Sequence, residues 1–158
     1  MYLEGKGVTK DCGKAIEWFK KAIEQGAINA KSNLAIIYAE GLCGDKDYEK
    51  AYQLNKEAAK QGLCQSQYNL GIMYLNGWGV AKDECLALKW ITQSTKKDAE
   101  IQYQVGLMYQ FGTGIAKEKD IVRAKKLYTK AAKQGHGCAK HRLEEISEER
   151  EPPLAPSL

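Results

Sequence analysis

An all-α fold, a solenoid of short helix-pair repeats, is what this sequence predicts, and three observations predict it. A heptapeptide recurs as Tyr2-Leu-Glu-Gly-Lys-Gly-Val, Tyr74-Leu-Asn-Gly-Trp-Gly-Val and Tyr109-Gln-Phe-Gly-Thr-Gly-Ile, with Tyr38-Ala-Glu-Gly41 as a fourth, damaged copy; its tyrosines stand 36, 36 and 35 residues apart. Ala15, Ala51, Ala87 and Ala124 recur at 36, 36 and 37, in step with the bulky Trp18, Leu54, Trp90 and Leu127. Apolar positions within each period fall at helical spacing. A period of this length marks stacked repeats, each of which needs its neighbour to bury its apolar face.

Each repeat opens with a first helix. Leu34, Ala35 and Tyr38 match Leu70, Gly71 and Tyr74, then Val105, Gly106 and Tyr109. Offsets of one and four residues put all three near one helix face, and the small residue lets the second helix approach closely. Gly-x-Gly follows, two positions where the chain can take positive φ and reverse. Next comes an aspartate, Asp11, Asp47, Asp83 or Asp120, four residues before the recurrent alanine. It is the expected N-cap of the second helix, its carboxylate accepting orphan N–H groups at the positive end of the dipole.

The second helix then runs to Gly26, Gly62 or Gly135, placed as C′ terminators. The third repeat departs from this, with Ser94 for the second alanine and Lys97-Asp98 in place of glycine, so a looser helix end is expected there. Trp18 and Trp90 are expected to pack in the core. A last first-type helix starts near Cys138 with Leu143 and Ile146, but Glu144 and Glu145 stand where the small residue and its neighbour should be, which suits a capping helix. The expected organisation is a partial repeat over 1–26, repeats over 27–62, 63–98 and 99–135, a capping helix over 136–146, and a disordered tail over 147–158, where three prolines and no apolar period occur. The opening repeat would lack its first helix.

The pattern small-x-x-x-Leu-Gly-x-x-Tyr-x-x-Gly-x-Gly-Val, then Asp-x-x-Lys-Ala-x-x-Trp and Ala-Ala-x-x-Gly, resembles the Sel-one-like repeat (SLR) family, a cousin of tetratricopeptide repeats, over about residues 1–143. The resemblance implies a right-handed α-solenoid of antiparallel helix pairs with first helices lining the concave side. It also implies a scaffold or adaptor that binds another protein, in signalling or in bacterial dealings with a host or competitor.

Composition agrees with a globular chain: 158 residues, 44% hydrophobic and 28% charged. The longest uncharged stretch, Gly62 to Ala81, carries Gly71, Gly77 and Gly79 and does not read as a membrane span. Five Glu and one Arg between Glu144 and Glu151 contribute −4, so residues 1–143 carry +8 against a whole-chain +4. The lysines are spread along every repeat and form no single block, which disfavours nucleic acid as the partner. Five cysteines, Cys12, Cys43, Cys64, Cys85 and Cys138, show no CxxC spacing. Mostly free thiols, a reducing compartment and a melting temperature indifferent to reductant are expected.

No cofactor, metal or catalytic residue is expected. The Gly-x-Gly loops lack the Gly-Lys-Ser/Thr of a phosphate-binding loop. His136, Cys138 and His141 are the one cluster of soft ligands, without a fourth nearby and without a standard spacing. A Cys138–His141 pair is the sole local candidate for a nucleophile and base; a small hydrolase of the β-lactam-associated SLR kind is therefore the rival reading, with a basic surface for nucleic acid or anionic lipid as the third. For a protein partner, the positions one and two before Leu34, Leu70, Val105 and Leu143 should face the groove: Ser32-Asn33, Tyr68-Asn69, Tyr103-Gln104 and His141-Arg142. Expected contacts are Asn33, Tyr68, Asn69, Tyr103, Gln104, His141 and Arg142. Trp78, between two turn glycines, either packs on a neighbouring loop or serves as an aromatic anchor.

Overall fold

The computed structural model describes residues 11–148; the first heptapeptide copy and residues 149–158 of the expected tail lie outside them. Among the described residues are eight helices and no strand: α1 (Cys12–Glu24), α2 (Ile28–Glu40), α3 (Tyr48–Lys60), α4 (Cys64–Asn76), α5 (Glu84–Ser94), α6 (Ala99–Phe111), α7 (Ile121–Lys133) and α8 (Gly137–Glu148). This is the all-α solenoid that the repeat predicts: α2 pairs with α3, α4 with α5 and α6 with α7. None of these helices is long and apolar enough to cross a membrane.

The recurrent aspartates make the helix starts. Asp11, Asp47, Asp83 and Asp120 each accept a hydrogen bond from the backbone N–H three residues on, at 3.0, 2.9, 2.8 and 2.9 Å. Three of them also close the loop before them. Asp47, Asp83 and Asp120 donate their own N–H to the carbonyls of Tyr38, Tyr74 and Tyr109 at 2.8, 3.0 and 2.7 Å. The two strongest markers of the period are thus the two ends of one backbone bond. Gly41, Gly77 and Gly112 end the first helices in left-handed conformation, as the Gly-x-Gly reading requires.

The chain divides into two compact units, Met1–Ser94 and Thr95–Leu158, at the departure in the third repeat. Helix α5 has 11 residues against 13 in α1, α3 and α7. In the first unit Ala35, Ala51, Tyr52, Ala59, Leu70 and Met73 form the core, with Trp90 partly buried against it. The small position does what its size predicts: a methyl on Gly71 would overlap the side chain of Ile91. In the second unit Ala124, Tyr128, Ala131, Ala139 and Ile146 form the core, and a methyl on Gly106 would overlap the Tyr128 ring.

Three expectations need correction. Trp18 is not core: it is 60% exposed, with the Lys21 ammonium over its ring. Its counterpart Leu54 packs on the core of the first unit; α1 packs on α2 of the next repeat but has no first helix of its own repeat beside it among the described residues, and Trp18 is left exposed. Most thiols are free as expected, but the expected indifference to reductant does not stand. Cys12 and Cys43 form a disulfide, with Cα atoms 5.3 Å apart, while Cys64, Cys85 and Cys138 are free. The bridge escaped the spacing argument because it joins a helix start to the loop of the next repeat, and it removes the ground for expecting a reducing compartment. Finally, α8 continues through Glu148, so Ser147 is helical; its hydroxyl donates to the Leu143 carbonyl at 2.7 Å.

Candidate interaction groove

In the first unit, the first helices α2 and α4 wall a groove of about 250 Å³. Helix α2 contributes Ala35, Ile36, Ala39 and Glu40, and α4 contributes Tyr68, Asn69, Ile72 and Met73. Asn55 of α3 lies at the bottom, 3% exposed, and Trp78 stands at the rim. Three expected residues, Tyr68, Asn69 and Trp78, therefore meet in one place. Asn33 does not join them; it is exposed on α2 outside this lining.

The groove is held by bonds beneath and beside it. Asn55 donates its amide to the Ala51 carbonyl at 3.1 Å and lies 3.8 Å from the Met73 sulfur. Asn69 accepts from Gln65 at 3.0 Å and donates to Asn55 Oδ1 at a long 3.5 Å. Burial pushes the Tyr68 phenol up from its ordinary pKa, so it stays a neutral donor. Behind α4, the Tyr52 and Tyr74 hydroxyls meet at 3.0 Å. Burial, then this bond, raises Tyr74 to about 12. The Trp78 ring stacks on Tyr48, the first residue of α3, at 5.3 Å and 13°, and it stays 41% exposed and lines the groove.

The expected residues of the second unit are tied mainly to other side chains of that unit. Tyr103 is half-buried between Tyr128 and His136, ring centroids 5.7 and 4.6 Å away. Arg142 bonds Glu145 at 2.9 Å, and a hydrogen bond with Tyr103 raises its pKa. Gln104 donates to Glu100 at 3.0 Å, and His136 meets the same carboxylate at 2.9 Å. These bonds, that of His136 foremost, hold Glu100 below the usual carboxylate range. His141 is exposed and pairs with Glu145 at 3.3 Å. Both histidines of the soft-ligand cluster thus have carboxylate partners, and Cys138 is exposed.

Sequence reasoning missed four parts of this picture. Ile36 and Ile72 stand 36 residues apart, and that recurrence was the available sign of an apolar groove wall. Gln67 and Gln102, 35 apart, are buried and donate to the Ala59 and Thr95 carbonyls at 3.2 and 2.9 Å. Asp98, read only as a missing glycine, caps α6 through the Ile101 N–H at 3.1 Å. Asn55 occupies a position that is apolar or aromatic in the other copies. A larger depression in the same unit, about 790 Å³ around Ile23, Leu34, Tyr38 and Leu54, contains none of the expected contact residues.

The comparisons with known proteins fit this geometry. The Sel1 repeat family matches residues 1–26, 28–63, 64–98 and 99–136, and the last three spans begin at or beside the starts of α2, α4 and α6. Among solved structures, a Sel1 repeat protein from Oxalobacter formigenes is 32% identical, with a TM-score of 0.73 over 92% of this chain and 59% of its own. A protective antigen present in uropathogenic Escherichia coli strains, displaying an SLR fold, is also 32% identical with a TM-score of 0.73, over 96% of this chain and 32% of its own. A putative Sel1 repeat protein from Klebsiella pneumoniae, 22% identical with a TM-score of 0.52 over 87% of this chain and 69% of its own, shares the fold. The chain thus spans less than two thirds of the length of the first two. No curated protein matches its sequence. Four matched repeats covering most of the sequence, with helices in the same register, make this chain a member of the Sel1 repeat family.

Proposed function

We propose that the chain is a non-enzymatic scaffold that holds another protein on the face built by its first helices. The observation that carries this reading is the α2–α4 groove, where an apolar wall, two aromatic side chains and two amides meet at one opening. Such a surface offers rigid contact area together with donors and acceptors, at small cost in side-chain entropy. In the second unit, taken by itself, Tyr103, Gln104, His141 and Arg142 are the contacts that the reading offers, side chains already bonded within that unit. A role between a bacterium and its host or competitor accords with the bacterial relatives, one of them a protective antigen. The hydrolase reading has less support: His136 and His141 each have a carboxylate partner that could orient them, but among the described residues no hydrogen bond joins either to the exposed Cys138.

The test replaces Tyr68, Asn69 and Trp78 together by Ala and compares the proteins captured by the variant and by the unaltered chain. A captured protein that is lost with the triple variant, while the helical circular dichroism is unchanged, supports the groove. Equal capture by both puts the interface elsewhere and ends this reading.

A further inference from the structure

The second helices carry Phe19, Asn55, Ile91 and Tyr128 four residues after their recurrent alanines. Asn55 is the polar member of the set, and it is 3% exposed. An amide at a core position lowers stability unless its groups are bonded. Its Nδ2 is satisfied by the Ala51 carbonyl, but its Oδ1 receives only the long 3.5 Å bond from Asn69.

Unit two shows what a larger residue does at this position. The Tyr128 ring lies over Gly106, and its hydroxyl donates to Gln110 Oε1 at 2.6 Å, one turn further along α6. The counterparts of Tyr128, Gly106 and Gln110 in the first unit are Asn55, Ala35 and, as the strict match to Gln110, Ala39; all three line the groove. A short side chain at 55 and the half-buried Ala39 leave a groove above them where the other unit has a tyrosine and a glutamine, while Ala35 beneath is closed to solvent. Met73, whose sulfur favours aromatic neighbours, closes one side, and Ile36, Tyr68, Ile72 and Trp78 surround the entrance.

We propose that this slot takes a tyrosine side chain from the bound protein, a deepening that rests on the groove being the binding surface. The ring lies over Ala39, against Ile36 and Ile72, with the buried Ala35 and Met73 beneath it. Its hydroxyl donates to Asn55 Oδ1 and accepts from Asn69 Nδ2, completing the pair that is underbonded without it. Phenylalanine would cover the same apolar area but leave Asn55 Oδ1 short of a donor. A cation has no partner at the bottom, where both groups are neutral amides; the carboxylate of Glu40 stands on α2 at the rim.

The probes are N-acetyl-tyrosine amide and N-acetyl-phenylalanine amide, titrated into the full 158-residue chain and followed by the side-chain amide resonances of Asn55 and Asn69 and the methyl of Ala39. The tyrosine amide should move all three and bind roughly tenfold tighter than the phenylalanine amide, the worth of one buried hydrogen bond. Asn55→Tyr, which fills the slot from inside as Tyr128 does, should abolish both titrations. Should that variant not fold, Asn55→Leu keeps the room and removes the acceptor, and the preference should shrink to about equal affinity. Equal affinities on the unaltered chain, or a tyrosine preference that survives Asn55→Leu, refute the proposal. So does the absence of any shift at these three groups. If no shift occurs while the Tyr68, Asn69 and Trp78 variant still loses its captured protein, the slot fails and the groove stands. Shifts without that loss uphold the slot as a tyrosine site and overturn the groove as the surface that holds the captured protein.

Discussion

The loops after α2 and after α4 occupy equivalent places in consecutive repeats, and each rests on the first residue of the preceding second helix. After α2, Cys43 reaches back to Cys12 at the start of α1 and the contact is a covalent bridge. After α4, Trp78 stacks on Tyr48 at the start of α3, and Gly79 at φ +68 lies so close to the Tyr48 carbonyl that a Cβ would overlap it. The difference follows what the helices can bury. Helix α3 buries Ala51, Tyr52, Asn55, Ala58 and Ala59, whereas α1 buries Ala15 alone among its residues. Where apolar burial is small, a cross-link supplies what the core does not; where it is ample, an aromatic stack suffices.

The strongest way to break this comparison is to remove the bridge. Its cysteines are 31 apart in sequence, a closed loop of that length being worth about 3–4 kcal/mol through the unfolded chain. Cys12→Ser, or reductant on the unaltered chain, should lower the urea midpoint accordingly. Hydrogen exchange should quicken first in α1, while α3 to α5 keep their protection. Unchanged stability would mean that α1 is held by packing after all.

At the second junction, Gly79→Ala must leave the left-handed region or push the loop off Tyr48. A loss of about 2–3 kcal/mol is expected from strain and lost contact together. Trp78→Ala removes the stack alone and should cost about 1 kcal/mol. If the tryptophan variant lost more than the glycine variant in thermal melts, the ring and not the close backbone approach would be what seats this loop.

The same two junctions mark how far the sequence could be read. The 36-residue period placed α2, α4 and α6, the four aspartate caps and the buried Leu70, because those features repeat in every copy and each needs only local chemistry. The Cys12–Cys43 bridge was hidden, since it pairs two positions from different repeats and appears once. Trp18 differs for a related reason: its position is core only where the first helix of its own repeat packs beside it. Helix phase brings Tyr68 and Asn69 into one lining, whereas Asn33, at the same phase on α2, lies outside the groove that α2 shares with α4. Asn55 could have been found by asking which copy breaks an apolar column, a question that the period makes possible but that propensity and spacing alone never raise.

The smallest expected effect separates the caps at the two junctions. Asp11 and Asp47 do the same work, each accepting an N–H bond and pairing with the lysine three residues on, Nζ to Oδ2 at 3.3 and 2.8 Å. Both carboxyls are held below their ordinary range, Asp11 chiefly by the backbone N–H of Lys14 and Asp47 chiefly by the Lys50 side chain, whose own pKa rises in return. A carboxyl depressed in the folded state stabilises above its unfolded value, near pH 4, and that stabilisation disappears as pH falls through the folded value. Acid should therefore loosen both helix starts, and salt should tell them apart. An exposed ion pair is screened within about 10 Å at 0.1 M ionic strength, while a bond from a fixed backbone N–H is far less affected. In carboxyl-carbon NMR titrations at low and high salt, the Asp47 midpoint should move up toward the ordinary range by more than that of Asp11. Equal movement would show that one cause acts at both caps, and that the junctions differ only in what joins the loop to the helix.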